Sequence, residues 1–362
     1  MTLRPSSLAF AAASLGPAGL LLLGAVIGGA WPFAALLGVT ALALLLDTSR
    51  LGLHAGEDQR DWLPVTIGIL HFILLAAGLW AVGAETHLDL PQKLALAVAL
   101  GLYLGQVSNA CAHELIHRGN RRLRALGTAI FCSLLNGQHV SAHLLVHHVH
   151  AGTARDPNSA PLGQGFWRFF GRVFVGEFLA GWRAETRRHQ TRPLWRHPYA
   201  LYLAAGAVTL IVAFALGGWR GLVLMLALAL HAHLQLMLSD YLQHYGLRRR
   251  VDPQGRLEPM GPQHSWNAPH SVSAALMLNA PLHSDHHMHP ARPFCTLRFD
   301  PDSMPTLPRS VPVMGALALI PPLWRRIMDP RARAYAAAPP SHGTIVPTSE
   351  PQTGSQPFVL SE

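Results

Sequence analysis

Histidines in this chain cluster in four runs whose spacing places several imidazoles on one side of a helix. The runs are HELIH at 113–117, HLLVHH at 143–148, YLQHYGL at 241–247 and HSDHH at 283–287. Side chains three or four residues apart share a helix face, so His113 and His117 can converge on one point. Neutral imidazole is the commonest metal ligand, and the runs therefore predict a metal site.

The number of histidines indicates two metal ions rather than one. HLLVHH and HSDHH repeat one arrangement, in which a lone histidine is followed after a spacer by an adjacent pair. Zinc takes three or four protein ligands, so nine candidates are too many for one ion and suit two. Imidazole binds zinc, copper, iron and nickel, so ligand type alone leaves the metal open. The candidates are His113, His117, His143, His147, His148, His244, His283, His286 and His287.

The composition is that of a membrane protein. Half of the 362 residues are apolar and 13% are charged, whereas roughly 25% of the residues in an average soluble domain are charged. The apolar residues form long runs, and about 20 of them cross a bilayer as an α-helix. We therefore predict an all-α integral membrane protein with six transmembrane helices, at about 8–28, 31–47, 63–84, 92–112, 199–217 and 219–239.

The distribution of arginine predicts the orientation of these helices, because positively charged loops tend to stay in the cytoplasm. Arg4, Arg50, Arg60 and the arginines between 118 and 196 fall in alternate loops, whereas the loops at 29–31, 85–91 and 217–218 have no basic residue. Both termini and the metal site are therefore predicted on the cytoplasmic side of a bacterial inner membrane. All four histidine runs then meet at one level.

The predicted membrane helices and histidine runs divide the chain into five segments. Residues 1–112 would form four membrane helices, 113–198 a cytoplasmic loop with the first two motifs, and 199–241 two more membrane helices. Residues 242–335 would form a cytoplasmic metal-binding cap. The tail at 336–362 is rich in Ala, Pro, Ser and Thr. It has too few apolar residues to fold, so we predict that it is disordered.

The net charge and the cysteines limit the partners. A net charge of +9 comes mainly from the cytoplasmic arginines, which suit anionic lipid headgroups or an acidic protein equally well. We predict no nucleic-acid partner. Cys111, Cys132 and Cys295 form no CxxC pair, so neither a disulfide framework nor a sulfur-ligated cluster is expected.

HELIH taken alone has other interpretations. It fits the zinc-protease pattern HExxH, in which Glu114 would be the general base, and it fits a polar cap at a helix end. The full arrangement HxxxH, HxxxHH, HxxHH at the ends of transmembrane helices resembles the membrane-bound di-iron family of fatty acid desaturases and hydroxylases. Four further segments are similar to its alkane 1-monooxygenase branch: YLQHYGLRR at 241–249, HSWN at 264–267, LHSDHHMHPARPF at 282–294 and PPLWRRIMDPR at 321–331.

The resemblance implies a specific enzyme. The nine histidines would ligate two non-haem iron ions, and the enzyme would use O₂ to hydroxylate the terminal carbon of an alkane to a primary alcohol. An apolar alkane or acyl substrate would enter from the membrane lipids. The chain has no flavin motif, nucleotide fold or CxxC pair, so the two electrons of each turnover need a separate donor. In the family this donor is rubredoxin with its reductase.

Three positions depart from the family pattern. Ala142 and Gln243 stand where the family commonly has acidic residues, and Asp240 stands where it has Asn. These positions flank ligands, and partners of that kind orient imidazoles and tune the metal. Four carboxylates are expected to support the ligands by hydrogen bonding: Glu114, Asp156, Asp240 and Asp285.

Alternative functions remain at this stage. The nearest is a desaturase or hydroxylase acting on an acyl lipid. A zinc protease would need no HSDHH run. A metal transporter would need ligands through the membrane, where only His231 and His233 lie within a predicted helix. Seven histidines outside the ligand spacing are expected to be hydrogen-bonding or interfacial residues: His139, His150, His189, His197, His264, His270 and His289.

Overall fold

The structure, a computed structural model, describes residues 5–48, 53–84, 87–190 and 193–337. Regular structure in these ranges is helical, and pairing between extended segments is limited to the bridges Val251↔Leu257 and Asn267↔Thr306. The all-α prediction is therefore confirmed for this part of the chain. The predicted tail begins inside the last helix, and its residues from 338 onward lie outside the described residues, as do Arg4, Arg50, Glu85 and Arg192.

The N-terminal third consists of four apolar helices. They are α1 (Pro5–Val26), α2 (Trp31–Asp47), α3 (Trp62–Gly83) and α4 (Leu90–Ile116), with a 3₁₀ turn at Glu57–Gln59 before α3. Gly28 and Gly29 both have positive φ, which glycine tolerates, and they reverse the chain between α1 and α2 as the sequence predicts. Asp89 caps α4 by accepting the backbone N–H of Gln92 at 2.9 Å. Wider π turns interrupt α2 at Gly38–Leu42 and α4 at Leu104–Ser108.

Four helices are long and apolar enough to cross a membrane, compared with the six predicted spans. They are Ser7–Val26, Glu57–Gly83, Leu90–Ile116 and Pro198–His244. One difference is α2, which at Trp31–Asp47 lies at the short end of the roughly 17–25 residues with which helices span a bilayer. The other is that the fifth and sixth predicted spans form one continuous helical stretch, α8 (Pro198–His244).

This stretch nevertheless folds back on itself at Gly218, where φ is 56° and ψ is −146°. The carbonyl oxygen of Ala213 lies so close to Gly221 that a Cβ on Gly221 would overlap it. Residues eight apart in one straight helix are never this close. The two arms of α8 therefore run back along each other, antiparallel. The turn fits closely against the end of α3, since a Cβ on Gly83 would lie 2.9 Å from the Cα of Gly217. The glycine break predicted at 217–218 is thus a real reversal, and both ends of α8 lie on the same side.

The segment between α4 and α8 is itself mostly helical. It holds α5 (Arg121–Ser133), α6 (138–150), α7 (Phe166–Arg188) and a 3₁₀ turn at Leu194–Arg196. The second histidine run, expected in the loop between membrane helices, lies in α6, whose turns are Gln138–Ala142, a π turn at His143–His147, and His148–His150. The segment between the membrane helices is therefore helical at this run, as the spacing of its histidines predicts.

The C-terminal part forms short helices that close over the ends of α4 and α8. They are α9 (Ser271–Leu276), α10 (His283–Met288), α11 (Val311–Ala318) and α12 (Pro321–Ala337), with 3₁₀ turns at Pro262–His264 and Phe294–Thr296. Asp47 at the end of α2 accepts the backbone N–H groups of Val272 and Ser273. A buried aromatic cluster that includes Tyr245, Trp266 and Trp324 joins this part to α7 and α8.

Candidate metal centre

The nine predicted histidines come together in two groups. Five lie in the first group and four in the second, and within each group the candidate ligand atoms all lie within 4.8 Å of one another. The first group, here called the five-histidine group, is His113, His117, His143, His148 and His286. The second, the four-histidine group, is His147, His244, His283 and His287.

Helix geometry explains how neighbouring histidines reach different groups. His113 and His117, and likewise His283 and His287, are four residues apart and share a helix face. The π turn at His143–His147 widens α6 to an i→i+5 pattern. His143 can then share a group with His148, five residues on, while His147 points to the other group. Each adjacent pair, 147–148 and 286–287, contributes one imidazole to each group.

Ring nitrogens of different histidines lie close together within each group, at separations that also fit two ligands of one metal ion. In the five-histidine group, Nε2 of His143 lies 3.0 Å from Nε2 of His117 and 2.9 Å from Nε2 of His148. In the four-histidine group, Nε2 of His283 lies 3.0 Å from that of His244 and 2.9 Å from that of His287. Two nitrogens bound about 2.1 Å from one ion, at about 90–110°, are separated by about 3.0–3.4 Å.

The donor set therefore fits two metal ions. Burial, followed by the neighbouring imidazoles, holds the pKa of His143, His148 and His286 well below its ordinary value. These rings are neutral, which is the form that binds a metal. Zinc in proteins is almost always four-coordinate in structural sites and has three protein ligands in catalytic ones, so five imidazoles exceed its usual number.

One carboxylate supports a ligand directly. Oδ2 of Asp156 accepts from Nδ1 of His147 at 3.0 Å and from the hydroxyl of Ser159 at 2.6 Å. Burial alone lowers the pKa of His147, but the charge of Asp156 and this hydrogen bond raise it to about 9. The carboxylate fixes the ring so that Nε2, which has no partner in the described part of the chain, faces the group.

A buried polar network continues from Asp156. The side-chain amide of Asn158 donates to Asp240 at 2.7 Å and to Glu177 at 3.4 Å. Glu177 in turn accepts from Nδ1 of His139 at 2.5 Å. Burial by itself raises the pKa of Glu177, but His139 outweighs that effect, and the pKa is lowered. Asp240 thus contacts Asn158 rather than a histidine of either group.

The other two predicted carboxylates face away from the ligand nitrogens. Glu114 pairs with Arg118 at 2.9 Å and accepts the backbone N–H of Phe294 at 3.2 Å. Asp285 accepts from Arg292 through both oxygens at 2.6 Å and from Nδ1 of His289 at 3.0 Å. Glu114 ties the segment after α10 to the end of α4, and Asp285 ties the same segment to α10, so both position helices that carry grouped histidines and bond no imidazole of either group.

The two remaining departures from the family pattern have structural explanations. A Cβ on Gly181 of α7 would lie 3.1 Å from the Cβ of Ala142, so α6 and α7 are in contact at this point and leave no room for a larger side chain. Gln243 donates to the carbonyl oxygen of Ala280 at 3.3 Å. It links α8 to the segment that carries HSDHH.

The seven histidines excluded by spacing lie outside both groups. Five of them make side-chain hydrogen bonds: His139, His189, His197, His264 and His289. His139 was nevertheless underestimated. Its ring centroid lies 5.0 Å from that of His143, and its buried Nε2 has no partner among the described residues. The signal was its position four residues before His143 on the same helix.

An apolar cavity of about 320 Å³ leads to the histidines. His113, His139, His143 and His283 line one end. Its walls are mainly aliphatic side chains of α2, α4, α8 and α11, among them Leu44, Leu102, Leu234, Leu238, Val311 and Leu319. A volume of this size is typical of small-molecule sites, and its lining suits an apolar chain.

Comparison with known proteins agrees with this geometry. The fatty acid desaturase family profile matches residues 91–317. Alkane 1-monooxygenase 2 of Pseudomonas aeruginosa is 30% identical over 87% of this chain and 88% of its own length. Alkane 1-monooxygenase 1 of that organism is 33% identical over 85% and 84%, and the alkane 1-monooxygenase of Ectopseudomonas oleovorans is 32% identical over 74% and 67%. The chain therefore belongs to the fatty acid desaturase family and is a hydroxylating oxidoreductase similar to the alkane 1-monooxygenases.

Proposed function

We propose that this protein is a membrane non-haem di-iron monooxygenase that hydroxylates the terminal carbon of alkanes. The observation that carries the proposal is the convergence of nine imidazoles into groups of five and four at the end of an apolar cavity. Bound iron ions would supply the O₂ activation and the electron transfer that side chains cannot provide. The reaction would convert a methyl group to a primary alcohol.

In this proposal the protein contributes position and exclusion of water. Both groups are largely buried: His244 is fully shielded from solvent, and His143 and His147 are each 2% exposed. The cavity delivers a chain end to His113 and His143 while aliphatic walls hold the remainder. A narrow dead end favours attack on the terminal carbon, because only a methyl group reaches the histidines.

We further propose that the chain makes six membrane passes in a bacterial inner membrane. The passes are α1 to α4 and the two arms of α8, with the turns at Gly28 and Gly218 on the outer side. The arginine-rich segments and the histidines would then face the cytoplasm. Reporter fusions test this: a fusion after Gly218 should be active only as a periplasmic reporter, and one after Ala337 only as a cytoplasmic reporter.

Electrons would come from a rubredoxin and its reductase, which the cytoplasmic arginines could receive as an acidic partner. We expect purified protein to show no NADH-dependent hydroxylation until both carriers are added. Full activity without any carrier would contradict this part of the proposal.

The structure disfavours a zinc protease. In the HExxH mechanism the glutamate must face the metal-bound water, but Glu114 is engaged with Arg118 and Phe294. HSDHH would also be unnecessary to a protease, yet it supplies three of the nine grouped histidines.

The deciding experiment combines metal analysis with an activity assay. Purified protein should contain about two iron ions per chain. With rubredoxin and reductase it should convert octane or hexadecane to the primary alcohol. Zinc as the only metal would refute the proposal. Desaturation of an acyl lipid, with no alkane product, would select the nearest alternative within the family.

A further inference from the structure

The cavity wall carries two polar side chains far from the histidines. His231 and Gln235 lie one helical turn apart on α8, and both line the cavity. The amide nitrogen of Gln235 lies 2.5 Å from Nε2 of His231 and 3.3 Å from the carbonyl oxygen of Gly101. Polar side chains inside a membrane helix are costly and usually serve a function. The rest of this arm lines the cavity with four leucines and, closer to the histidines, with polar side chains at 239, 240 and 243.

The distance between this pair and the histidine groups can be estimated along two helices, α8 and α4, and the two estimates agree. His231 precedes His244 by 13 positions of α8, and Gly101, which contacts His231, precedes His113 by 12 positions of α4. At 1.5 Å per residue these separations correspond to about 18–20 Å. Extended methylenes each add roughly 1.3 Å, and the contacts at the two ends of the ligand take up a few ångströms, so an aliphatic chain of about 12–14 carbons reaches from the histidines to the pair.

The hydrogen bond within the pair determines what it presents to a ligand. Since the amide N–H of Gln235 donates to Nε2 of His231, the neutral ring carries its proton on Nδ1. Neither Nδ1 of His231 nor Oε1 of Gln235 has a hydrogen bond within the described ranges. The pair therefore offers one free donor and one free acceptor. A hydroxyl group, which both accepts and donates, satisfies both atoms at once.

We propose that the His231–Gln235 pair binds the hydroxyl end of a long-chain primary alcohol, whose methyl end is then hydroxylated to give an α,ω-diol. This inference rests on the proposed function, and the reaction is the same. One C–H bond of the methyl group breaks and one C–O bond forms with an oxygen atom of O₂. The second oxygen atom leaves as water, with two electrons from the donor protein and two protons.

The test compares three molecules with equal numbers of heavy atoms. Dodecan-1-ol can donate and accept, 1-methoxyundecane can only accept, and n-tridecane can do neither. One well-formed hydrogen bond predicts a KM about three- to tenfold lower for dodecan-1-ol than for n-tridecane, with dodecane-1,12-diol as product. The ether should lie between the two. Equal KM values for all three would overturn the inference.

Variants assign the preference to the pair. The double variant His231→Leu/Gln235→Leu should lose the preference for dodecan-1-ol over n-tridecane, so that the ratio of the two KM values approaches one. Gln235→Met, which keeps the chain length of the side chain, serves if the double variant does not fold. Thr209→Val is the control, because Thr209 lies on the other arm of α8 and bonds only the carbonyl oxygen of Ala205. A preference that survives in the variants would overturn the inference.

A binding measurement separates this inference from the proposed function. Dodecan-1-ol should raise the thermal unfolding midpoint of the wild-type protein more than n-tridecane does, and this difference should vanish in the variants. A difference without any hydroxylation would support the pair as a hydroxyl site while refuting the proposed reaction. Alkane hydroxylation with no such difference in unfolding midpoint would support the proposed reaction and refute the pair as a hydroxyl site.

Discussion

The two histidine groups differ in what lies behind and in front of them. The five-histidine group contributes His113 and His143 to the cavity, and the four-histidine group contributes His283. The five-histidine group includes His113 and His148, which are only partly buried. All members of the four-histidine group are buried, and one of them, His147, is held by Asp156. Both groups thus reach the cavity, but only the four-histidine group is also held by a buried carboxylate network.

The number of imidazoles in each group predicts how well the group tolerates the loss of one. A site with five imidazoles tolerates the loss of one better than a site with four, because four ligands still fill a tetrahedral arrangement. The four-histidine group has no spare ligand and depends on the orientation that Asp156 imposes. We therefore expect substitutions in the two groups to have unequal effects.

The largest effect is expected from His283→Ala, compared with His148→Ala. His283→Ala leaves three imidazoles, so iron should fall from about two ions to about one per chain, and hydroxylation should fall at least about a thousandfold. His148→Ala leaves four, so both ions should remain, with activity about 10–100-fold lower. Metal analysis and alcohol formation measure both effects.

The control for this pair is His150→Ala, since His150 belongs to neither group. It should retain two ions and nearly full activity. Equal metal loss in the His283 and His148 variants would show that the nine histidines act as one site and not as two.

The next effect is expected from Asp156→Asn. The amide cannot hold the Nδ1 proton of His147 as a carboxylate does, so the affinity of the four-histidine group for metal should fall by about 10–100-fold. During titration with a chelator, one ion should leave this variant well before the other. Asp252→Asn is the control, because the side chain of Asp252 bonds only Gln254 and Arg256 within its own turn, far from both histidine groups in sequence. Simultaneous loss of both ions would contradict the assignment of Asp156 to one group.

A stability effect is expected at the other end of the same network. His139→Leu leaves the buried carboxylate of Glu177 with only the distant amide of Asn158, so the free energy of unfolding should fall by about 3 kcal/mol. The double variant His139→Leu/Glu177→Leu removes the unpaired charge and should be the more stable of the two. Chemical denaturation in detergent measures both. If the double variant loses as much free energy of unfolding as the two single variants together, His139 and Glu177 are not coupled.

The sequence predicted which histidines come together better than it predicted the elements that carry them. Spacing identified eight of the nine grouped histidines, because metal ligation restricts residue type and because α-helical periodicity fixes which side chains converge. His244 stands alone in its run and was included because of the other runs and the family resemblance. The π turn at His143–His147 was not predictable, since nothing in HLLVHH distinguishes the i→i+5 hydrogen bonds of a π turn from the i→i+4 hydrogen bonds of an α-helix. In each adjacent pair of histidines, one ring belongs to the five-histidine group and the other to the four-histidine group. This division depends on how the helices pack in three dimensions, which a local sequence pattern does not show.

Apolar runs located the membrane helices but not their lengths. The glycine break at 217–218 was predicted correctly, but α4 and α8 run past the ends predicted for them, because an apolar composition does not show where a helix ends. The carboxylates show the same limit. Asp156, Glu114 and Asp285 all lie near ligands in sequence or space, yet only Asp156 bonds one, because partner choice depends on side-chain direction.

The smallest effect on the metal centre is expected from Glu114→Gln. Although Glu114 follows His113 directly, its carboxylate pairs with Arg118, which is 5% exposed, and accepts from the backbone of Phe294. The amide keeps an acceptor oxygen but loses the charge, so the free energy of unfolding should fall by about 1–3 kcal/mol while two ions remain bound. Hydroxylation should change by no more than about threefold. Metal loss comparable to that of Asp156→Asn would show that the five-histidine group also depends on a carboxylate, and would remove the contrast between the two groups.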